Sequence, residues 1–329
     1  MRNKGICVAG NLIVDLTYPI AGWPAEGELT TITGGAVRTV GGAVVNCAVD
    51  LAVMDGSVPV KALGVVGDDE AGDFLLDRLK RYPSIDVGMI RREGETSFTV
   101  VMSDDGTKTR TFFQYRGAGA LLTPDSFDWD RISCDILHVG YILLLDGLDA
   151  PDPEYGTGMA RVLREARARG IMTSVDVVTE TGDRMARLVP PALRYADLCV
   201  INELEAAGVT GVPLRGKDGY LLENNMRDAL EALKRFGVSK WAVIHSPEGA
   251  WGLDDREELR RVASVPMEKG SIKGTVGAGD AFCSGILYGA YREWDLGESM
   301  RLAVRAAAAT LTEKGATEGI KPISELLTF

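Results

Sequence analysis

The chain has 329 residues, 46% of them hydrophobic and 25% charged, which excludes a disordered or collagen-like protein. With 36 basic and 47 acidic residues its formal charge is −11, which disfavours general binding to nucleic acid or to anionic membranes. Five scattered cysteines, never spaced CxxC, predict a reducing compartment without a disulfide framework. No apolar run approaches the roughly 20 residues of a membrane span, so we expect a soluble, cytoplasmic protein.

Short apolar runs alternate along the chain with longer amphipathic stretches. The runs predict strands at 5–9, 60–65, 136–139, 171–176, 198–201 and 241–245. The stretches predict helices at 44–54, 70–81, 158–169, 183–194, 227–236, 281–292 and 296–313. This alternation is typical of the α/β class, in which a mostly parallel sheet is covered by helices on both faces.

Two segments interrupt the alternation. Residues 13–38 are rich in Thr, Gly and Pro, and residues 96–116 form a hairpin pattern around Asp105-Gly106. Neither segment fits easily into a parallel sheet, so together they predict a small antiparallel lid. No linker or repeat divides the chain, and we expect one domain over residues 1–329 that carries this lid.

The most informative motif is the glycine-rich segment that ends at Gly277-Ala278-Gly279-Asp280, directly before a predicted helix. Free amides at a helix N-terminus attract an anion, and glycine lets a phosphate approach the backbone closely. Asp280 beside such an anion could accept a proton from an attacking hydroxyl group. The alternative is a simple glycine-rich turn in which Asp280 caps the helix.

Further polar residues lie near the ends of the first strand and the start of the first helix. Gly41-Gly42 precede that helix, where they would allow bending and lid movement, and Asn46 lies one turn into it. Asp15 follows the first strand, near the edge at which open parallel sheets bind ligands. The glycine pair could also be a simple turn, and Asp15 could be a solvated acid in a loop.

Asn202 and Glu205 follow the apolar run 198–201 and are three residues apart on a starting helix. Their oxygen atoms could bind hydrated Mg²⁺ from the same side. The same spacing is also that of a helix capping pair, so both interpretations stay open.

Several other functions are excluded or disfavoured. Only two histidines are present, His138 and His245, so a three-histidine zinc site is impossible, and we interpret both as core histidines. Residues 211–218 nearly match a phosphate-binding P-loop, but Asp218 stands where Ser or Thr must contact Mg²⁺. No GxGxxG opens the first strand–helix unit, which argues against a dinucleotide dehydrogenase.

Taken in order, the motifs resemble the ribokinase-like, or phosphofructokinase-B type, sugar kinase family. The resemblance covers nearly the whole chain, and its motifs are Asp15, Gly41-Gly42 with Asn46, residues 64–69 with Gly72, residues 202–205, and residues 277–282. It implies a three-layer α/β domain with a β-sheet lid. It also implies MgATP-dependent phosphorylation of a hydroxymethyl group on a small sugar or sugar derivative.

The resemblance assigns roles position by position. Asp280 looks like the catalytic base, and the three preceding residues (Gly277, Ala278 and Gly279) look like the anion hole. Asn202 and Glu205 match positions for Mg²⁺ and phosphate, and Thr275 and Gly249 match the nucleotide side. The substrate side is matched by Asp15, Gly41, Gly42 and Asn46. Lid strands in this family often pair between subunits, so the resemblance also implies a homodimer through the lid.

The chain departs from the family pattern at two places. Gly274 stands where the family usually has an aspartate that helps to hold a monovalent cation, so we expect weak or absent activation by K⁺. In the segment 244–249, only the last glycine of the usual nucleotide-side motif is kept.

These observations leave three functions open. An ATP-dependent sugar kinase is the leading one. A nucleoside kinase would use aromatic residues of the lid, which are Phe98, Phe112, Phe113 and Tyr115, although hairpin packing also explains them. A non-catalytic regulator on the same fold would fit the altered segment 244–249 but not the retained Asp280. Arg110 and Arg116 could bind an acidic sugar, or could be solvated strand residues.

Overall fold

The computed structural model describes residues 3–107, 109–268 and 270–329. Its strands are β1 (Ile6–Ala9), β2 (Ile13–Ile20), β3 (Val37–Gly41), β4 (Val60–Val66), β5 (Ile85–Arg92), β6 (Phe98–Asp104), β7 (Arg110–Tyr115), β8 (Ile136–Ile142), β9 (Pro151–Asp152), β10 (Gly156–Thr157), β11 (Met172–Val177), β12 (Leu198–Asn202), β13 (Trp241–Ser246), β14 (Gly249–Leu253) and β15 (Leu259–Ala263). Its helices are α1 (Ala43–Met54), α2 (Glu70–Lys80), α3 (Asp146–Asp149), α4 (Gly158–Ala168), α5 (Arg184–Leu193), α6 (Glu203–Thr210), α7 (Met226–Phe236), α8 (Ala278–Tyr291), α9 (Leu296–Thr310) and α10 (Ile323–Leu326).

A nine-stranded sheet forms the centre of the molecule, in the order β15-β14-β13-β12-β11-β8-β1-β4-β5. The strands from β13 to β5 are all parallel, and β14 and β15 add an antiparallel edge. Apolar residues of α1, α2, α8 and α9 pack on one face of the sheet, and those of α4 to α7 pack on the other. The predicted three-layer α/β fold is confirmed by these layers. The sequence indicated it because strands that are covered on both faces consist of continuous apolar runs.

The lid is a separate four-stranded sheet, in the order β3-β2-β6-β7. Pairing is antiparallel within each predicted insertion, between β2 and β3 and between β6 and β7. The two insertions meet through β2 and β6, which pair in parallel. The lid is therefore mixed and not purely antiparallel, because its two inner strands come from different insertions that enter from the same edge.

The edges of the central sheet are where the sequence predictions are incomplete. Strands β5, β14 and β15 were not predicted. The edge strands β5 and β15 carry polar residues that break the apolar pattern, whereas β14 is buried and its glycines, Gly249 and Gly252, interrupt a short apolar run. Helix α9 ends at Thr310, three residues earlier than predicted. Within the described residues, no helix combines the length and apolarity needed to span a bilayer.

Candidate active site

The carboxyl ends of β8, β11, β12 and β13 meet the start of α8 around a cavity of about 250 Å³. Ligands of open parallel sheets bind at this edge, because the strand order leaves a crevice there. Many of the side chains that line the cavity are charged or can form hydrogen bonds. They are Tyr141, Asp176, Thr179, Asn202, Glu205, His245 and Asp280.

The backbone at Gly277 starts helix α8. Gly277 is the N-cap residue and has a φ of 80°, in the left-handed region that favours glycine. A Cβ atom at this position would lie 2.3 Å from the carbonyl oxygen of Ala316, so only glycine fits. The following residues, Ala278 and Gly279, form the first turn, where amides have no acceptor within the helix.

Asp280 lies in this first turn and does not cap the helix, which decides against the capping alternative. Its side chain is 5% exposed. Nδ2 of Asn46 donates to its Oδ2 at 2.8 Å, and the hydroxyl of Tyr141 donates to both carboxylate oxygens at 2.8 and 2.9 Å. Burial, followed by the negative charge of Asp176, raises the pKa of Asp280 to about 6, although both donors oppose the shift. A carboxylate with this pKa is ionised at pH 7 and is more basic than an ordinary aspartate.

Tyr141 reaches Asp280 because the end of β8 has an unusual backbone. Tyr141 and Leu143 have φ values of 66° and 85°, which cost free energy in residues other than glycine. The amide of Tyr141 donates to Oδ1 of Asp176, and its hydroxyl binds Asp280. One strained residue therefore links the two carboxylates of the cavity.

The two histidines differ from each other. His138 is fully buried, with Nδ1 3.1 Å from Oγ of Ser174, so its prediction as a core histidine is confirmed. Burial alone would lower its pKa, but the contacts with Asp176 and Cys47 raise it to about 10. His245, in contrast, lies on the cavity wall and stacks on Phe282, so its prediction as a core residue is wrong. Burial lowers the pKa of His245 to about 4, which keeps it neutral at pH 7.

Asn202 and Glu205 form the capping pair that the sequence allowed, and their binding of Mg²⁺ stays a prediction. They form a capping box at the start of α6, in which Oδ1 of Asn202 accepts from the amide of Glu205 at 2.8 Å. Oε1 of Glu205 also accepts from the hydroxyl of Thr179 at 2.8 Å, and both residues line the cavity. Burial is the main cause that raises the pKa of Glu205 to about 8, and Asp176 adds to it. A divalent cation would relieve this cost of ionisation.

The predicted substrate-side residues lie where the lid joins the domain. A Cβ atom at Gly41 would lie 2.5 Å from Oδ2 of Asp15, and one at Gly42, where φ is 88°, would lie 2.6 Å from the carbonyl oxygen of Asn11. Burial raises the pKa of Asp15 to about 6. Oδ1 of Asn11 accepts from the first amide of α1, so Asn11 fixes the turn that Gly42 makes.

The predicted nucleotide-side residues have different surroundings. Thr275 is exposed in the loop before Gly277. Gly249 is buried at the start of β14, where a Cβ atom would lie 2.5 Å from the carbonyl oxygen of Val262. Close packing between β14 and β15 is thus a sufficient reason for glycine at this position, and its contact with nucleotide stays a prediction.

With this geometry established, the comparison with known proteins is direct: residues 3–323 match the family described as pfkB family carbohydrate kinase. The chain belongs to this family. The predicted family and the activity it stands for, ATP-dependent phosphorylation of a carbohydrate, are confirmed, at the level of a sugar or nucleoside kinase. The family alone does not name the substrate of this kinase.

Curated relatives are similar over most of their length. A probable fructokinase-7 from Arabidopsis thaliana is 28% identical over 93% of this chain and 87% of the relative. An aminoimidazole riboside kinase from Salmonella typhimurium is 24% identical over 88% of this chain and 87% of the relative. An uncharacterized sugar kinase from Archaeoglobus fulgidus is 26% identical over 78% and 93%.

Solved structures confirm the fold. An Arabidopsis thaliana ribokinase complexed with ribose and ATP has a TM-score of 0.81 at 19% identity, over 100% of this chain and 98% of that chain. A Methanocaldococcus jannaschii nucleoside kinase of the ribokinase family has a TM-score of 0.76 at 17% identity, over 99% and 98%. At these identities the likeness shows the fold alone.

Four cavity or lid-base residues were missed by the sequence analysis, namely Asn11, Tyr141, Asp176 and Thr179. The sequence did contain a signal for Asp176. It is a polar residue at the carboxyl end of the predicted strand 171–176, just as Asn202 follows the predicted strand 198–201. No pattern indicated Tyr141, because its role depends on the strained turn at the end of β8. Sequence spacing cannot show that two strand ends meet.

Proposed function

We propose that this kinase transfers the γ-phosphoryl group of ATP to a hydroxymethyl group of a small, uncharged sugar, with Asp280 as the general base. The observation that carries the proposal is the environment of Asp280. It is a buried carboxylate of raised pKa, held by two donors, and it lies in the first turn of a helix, beside the free amides at the helix start. A base and an anion site side by side are what phosphoryl transfer to an alcohol requires.

In this mechanism Oδ1 or Oδ2 of Asp280 accepts the proton of the attacking hydroxyl group as its oxygen bonds to the γ-phosphorus. The bond from that phosphorus to the β–γ bridging oxygen breaks, and ADP leaves with the electron pair. The amides of residues 277–279, with the dipole of α8 behind them, stabilise the charge on the transferred group. Asn46 and Tyr141 hold the carboxylate in one orientation, so little reorganisation is needed when the proton moves.

The acidic residues of the cavity fit Mg²⁺. Asp176, Glu205 and Asp280 line one cavity, and the negative charge of Asp176 raises the pKa of the other two, so ionisation of all three is unfavourable without a cation. An all-oxygen set of this kind suits a hydrated hard cation. We assign Asp176, Glu205 and Asn202 to Mg²⁺, through water molecules. Bound Mg²⁺ would neutralise the charge of the ATP phosphates.

The lid base favours an uncharged polyol as the substrate. Asp15 is an acceptor for sugar hydroxyl groups, and as a carboxylate it would repel an acidic sugar. Nδ2 of Asn11 is buried and has no hydrogen-bond partner among the described residues, so a donor is available for a sugar hydroxyl group. Arg116, a candidate for binding an acid, lies 3.9 Å from Asp146.

A nucleoside is the second candidate substrate, since one relative is named a riboside kinase and aromatic residues occur in the lid. These rings contact each other, with Phe98 5.2 Å from Tyr115 and Trp23 6.1 Å from Phe113 between ring centroids. These contacts within the lid engage Phe98, Tyr115 and Phe113. Of the aromatic residues of the hairpin, only Phe112 has no ring contact among the described residues, which favours the uncharged sugar.

The proposal is tested by measuring ADP release with MgATP and a panel of ketohexoses, pentoses, sugar acids, sugar phosphates and nucleosides. We expect turnover with an uncharged sugar and a large loss of turnover in the Asp280→Asn variant. Turnover limited to nucleosides or acidic sugars would contradict the substrate class. Sugar binding in thermal shift, without ADP release for any compound, would instead indicate a non-catalytic regulator.

The substitution Gly41→Ala tests the assignment of Asp15. The added Cβ would push only the end of the Asp15 side chain, so the fold should persist while the carboxylate moves. We expect KM for the sugar to rise about tenfold or more, since a hydrogen bond to a charged group is lost, and KM for ATP to stay unchanged. Gly35→Ala is the control, because nothing lies within 4 Å of its added Cβ. An unchanged KM for the sugar would contradict the assignment.

Dependence on K⁺ is expected to be weak or absent, because Gly274 supplies no side-chain oxygen. The position is also closely packed, since an added Cβ would lie 2.9 Å from the carbonyl oxygen of Glu313. Replacing K⁺ by tetramethylammonium at constant ionic strength, so that screening is unchanged, should leave turnover nearly the same. A several-fold drop would show that a cation site exists without this carboxylate.

We also propose that the lid mediates a homodimer. All six residues of the edge strand β7 are exposed, among them Phe112 and Phe113. Val37 of β3 and Trp23, in the segment after β2, add exposed apolar surface to the lid. An unprotected edge with apolar residues favours pairing with another strand. Light scattering should give twice the mass of one chain, and Phe112→Lys should give the mass of a monomer. A monomeric unmodified protein would contradict the proposal.

A further inference from the structure

Asp50 lies in the interface between α1 and α8, one turn beyond Asn46. The two helices run in the same direction, because Asn46 binds Asp280 near one end and Asp55 accepts from the hydroxyl of Tyr288 at 2.9 Å near the other. These pairs are 234 and 233 residues apart. The same offset places Asp50 opposite Ser284. Asp50 and Ser284 are both fully buried.

Three adjacent side chains of this interface have polar atoms without a partner. In the described part of the chain, neither carboxyl oxygen of Asp50, nor Oγ of Ser284, nor Oδ1 of Asn46 accepts or donates a hydrogen bond. Buried polar groups are almost always paired, since leaving one unpaired destabilises the protein. Three such groups on facing turns therefore point to an interaction among them.

The charges around Asp50 favour its protonated form. Asp280 faces it from α8, and Glu318 approaches it from the segment after α9. Burial, then the negative charges of Asp280 and Glu318, raise the pKa of Asp50 well above its usual range. Arg78 of α2 lies 3.9 Å from Glu318 and is engaged with it. An unpaired buried carboxylate would be strongly unfavourable here, whereas a carboxylic acid can donate a hydrogen bond.

We propose that Asp50 acts as a carboxylic acid and is a positioning residue for Asp280, through Asn46. Asn46 and Asp50 are four residues apart on one helix face, where side chains contact each other. A carboxyl oxygen and Oδ1 of Asn46 are both acceptors, so they share a hydrogen bond only through the proton of Asp50.

This arrangement determines which way the amide of Asn46 points. With Oδ1 of Asn46 accepting from Asp50, its Nδ2 must face Asp280, where it donates at 2.8 Å. The proton stays on Asp50 throughout the reaction. The role of Asp50 in catalysis rests on the proposed function, in which Asp280 is the base, whereas its protonation does not.

Two substitutions separate this role from a merely structural one. Asp50→Asn supplies an amide donor in place of the acid, so we expect kcat to stay close to that of the unmodified protein. Asp50→Leu has a similar shape but no donor, so we expect kcat to fall several-fold, with KM for sugar and ATP little changed. The acid limb of the pH profile should also shift to higher pH in Asp50→Leu, because the donor that lowers the pKa of Asp280 is no longer fixed.

Protonation is tested without any activity measurement. Infrared spectra at pH 7 should show carboxylic acid absorption from both Asp50 and Glu205, whose pKa is about 8. The acid band of Asp50 is the part of this absorption that is lost in Asp50→Asn and is still present in Glu205→Gln and in the exposed control Asp77→Asn. The melting temperature of Asp50→Asn should exceed that of the unmodified protein more at pH 8 than at pH 5. In the unmodified protein Asp50 releases its proton only on unfolding, so a rise in pH favours its unfolded state.

Each outcome decides the proposal. A loss of kcat in Asp50→Asn as large as in Asp50→Leu, or a missing acid band, would show that a charged Asp50 is needed and would overturn it. An unchanged kcat and pH profile in Asp50→Leu would overturn the positioning role. If Asp50→Leu does not fold, the infrared and unfolding results for Asp50→Asn decide. An active Asp280→Asn would contradict the proposed function and leave the protonation result standing.

Discussion

Replacing Asp280 by asparagine is expected to lower kcat by about 10²–10⁴-fold, the contribution of a positioned proton-transfer group. The amide has almost the same shape and can still bind the hydroxyl of Tyr141, so the fold should persist. It cannot accept the proton of the attacking hydroxyl group. Steady-state ADP release and thermal unfolding of the purified variant measure the two effects separately.

The control is Asp77→Asn, which makes the same change on the exposed face of α2 and should leave kcat unaltered. The unmodified protein should lose kcat/KM below about pH 6, because Asp280 must be ionised to act as a base and its pKa is about 6. Since Asp176 raises this pKa, Asp176→Asn should move the acid limb of its remaining activity to lower pH. Near-normal turnover in folded Asp280→Asn would exclude Asp280 as the base.

The central fold was predictable because its signals are local. Strands buried on both faces read as short apolar runs, and their alternation with amphipathic helices allows few arrangements. The lid shows where local signals end. The hairpin around Asp105-Gly106 was recognised from its turn, but the parallel pairing of β2 with β6 joins residues more than 80 positions apart. Nothing in either strand encodes that partner.

The same distinction applies to the candidate site. Glycines and Asp280 lie next to one another in sequence, so their arrangement at a helix start could be inferred from the chain alone. Asp176 and Tyr141 reach Asp280 only because the ends of β8 and β11 are adjacent in the sheet. The raised pKa of Asp280 depends on this proximity and on burial, and neither is visible in a motif.

His245 is a different kind of error, because the sequence analysis named this residue but assigned it to the core. A lone histidine at the end of an apolar run is usually a core residue, and this holds for His138. His245 is the next to last residue of β13, so it lies at the end of the strand that borders the cavity. A Cβ atom added to Gly279 would lie 3.7 Å from Cε1 of His245. The last residues of a central strand deserve a functional interpretation even when the strand is apolar.

Replacing Glu205 by glutamine is expected to weaken Mg²⁺ binding by about 10–100-fold, the usual effect of removing a group that orients metal-bound water. Glutamine preserves the capping contact with the amide of Asn202, so α6 should still form. Turnover measured against Mg²⁺ at fixed ATP should then require a higher Mg²⁺ concentration, and excess Mg²⁺ should restore much of the activity.

Glu203→Gln is the matched control, because Glu203 is a buried acid on the same turn whose Oε1 pairs with Arg215 at 2.7 Å. It should lower stability without changing the Mg²⁺ requirement.

Without Mg²⁺, the pH dependence of stability gives a second measurement of the environment of Glu205. Its pKa in the folded protein is about 8, above the ordinary value of about 4.3, so its contribution to stability is complete below the ordinary pKa and is lost as pH rises towards 8. Glu205→Gln should therefore melt at a higher temperature than the unmodified protein at pH 8, with little difference at pH 4. A variant with an unaltered Mg²⁺ requirement would restrict Glu205 to capping α6 and leave Asp176 as the carboxylate that faces the metal.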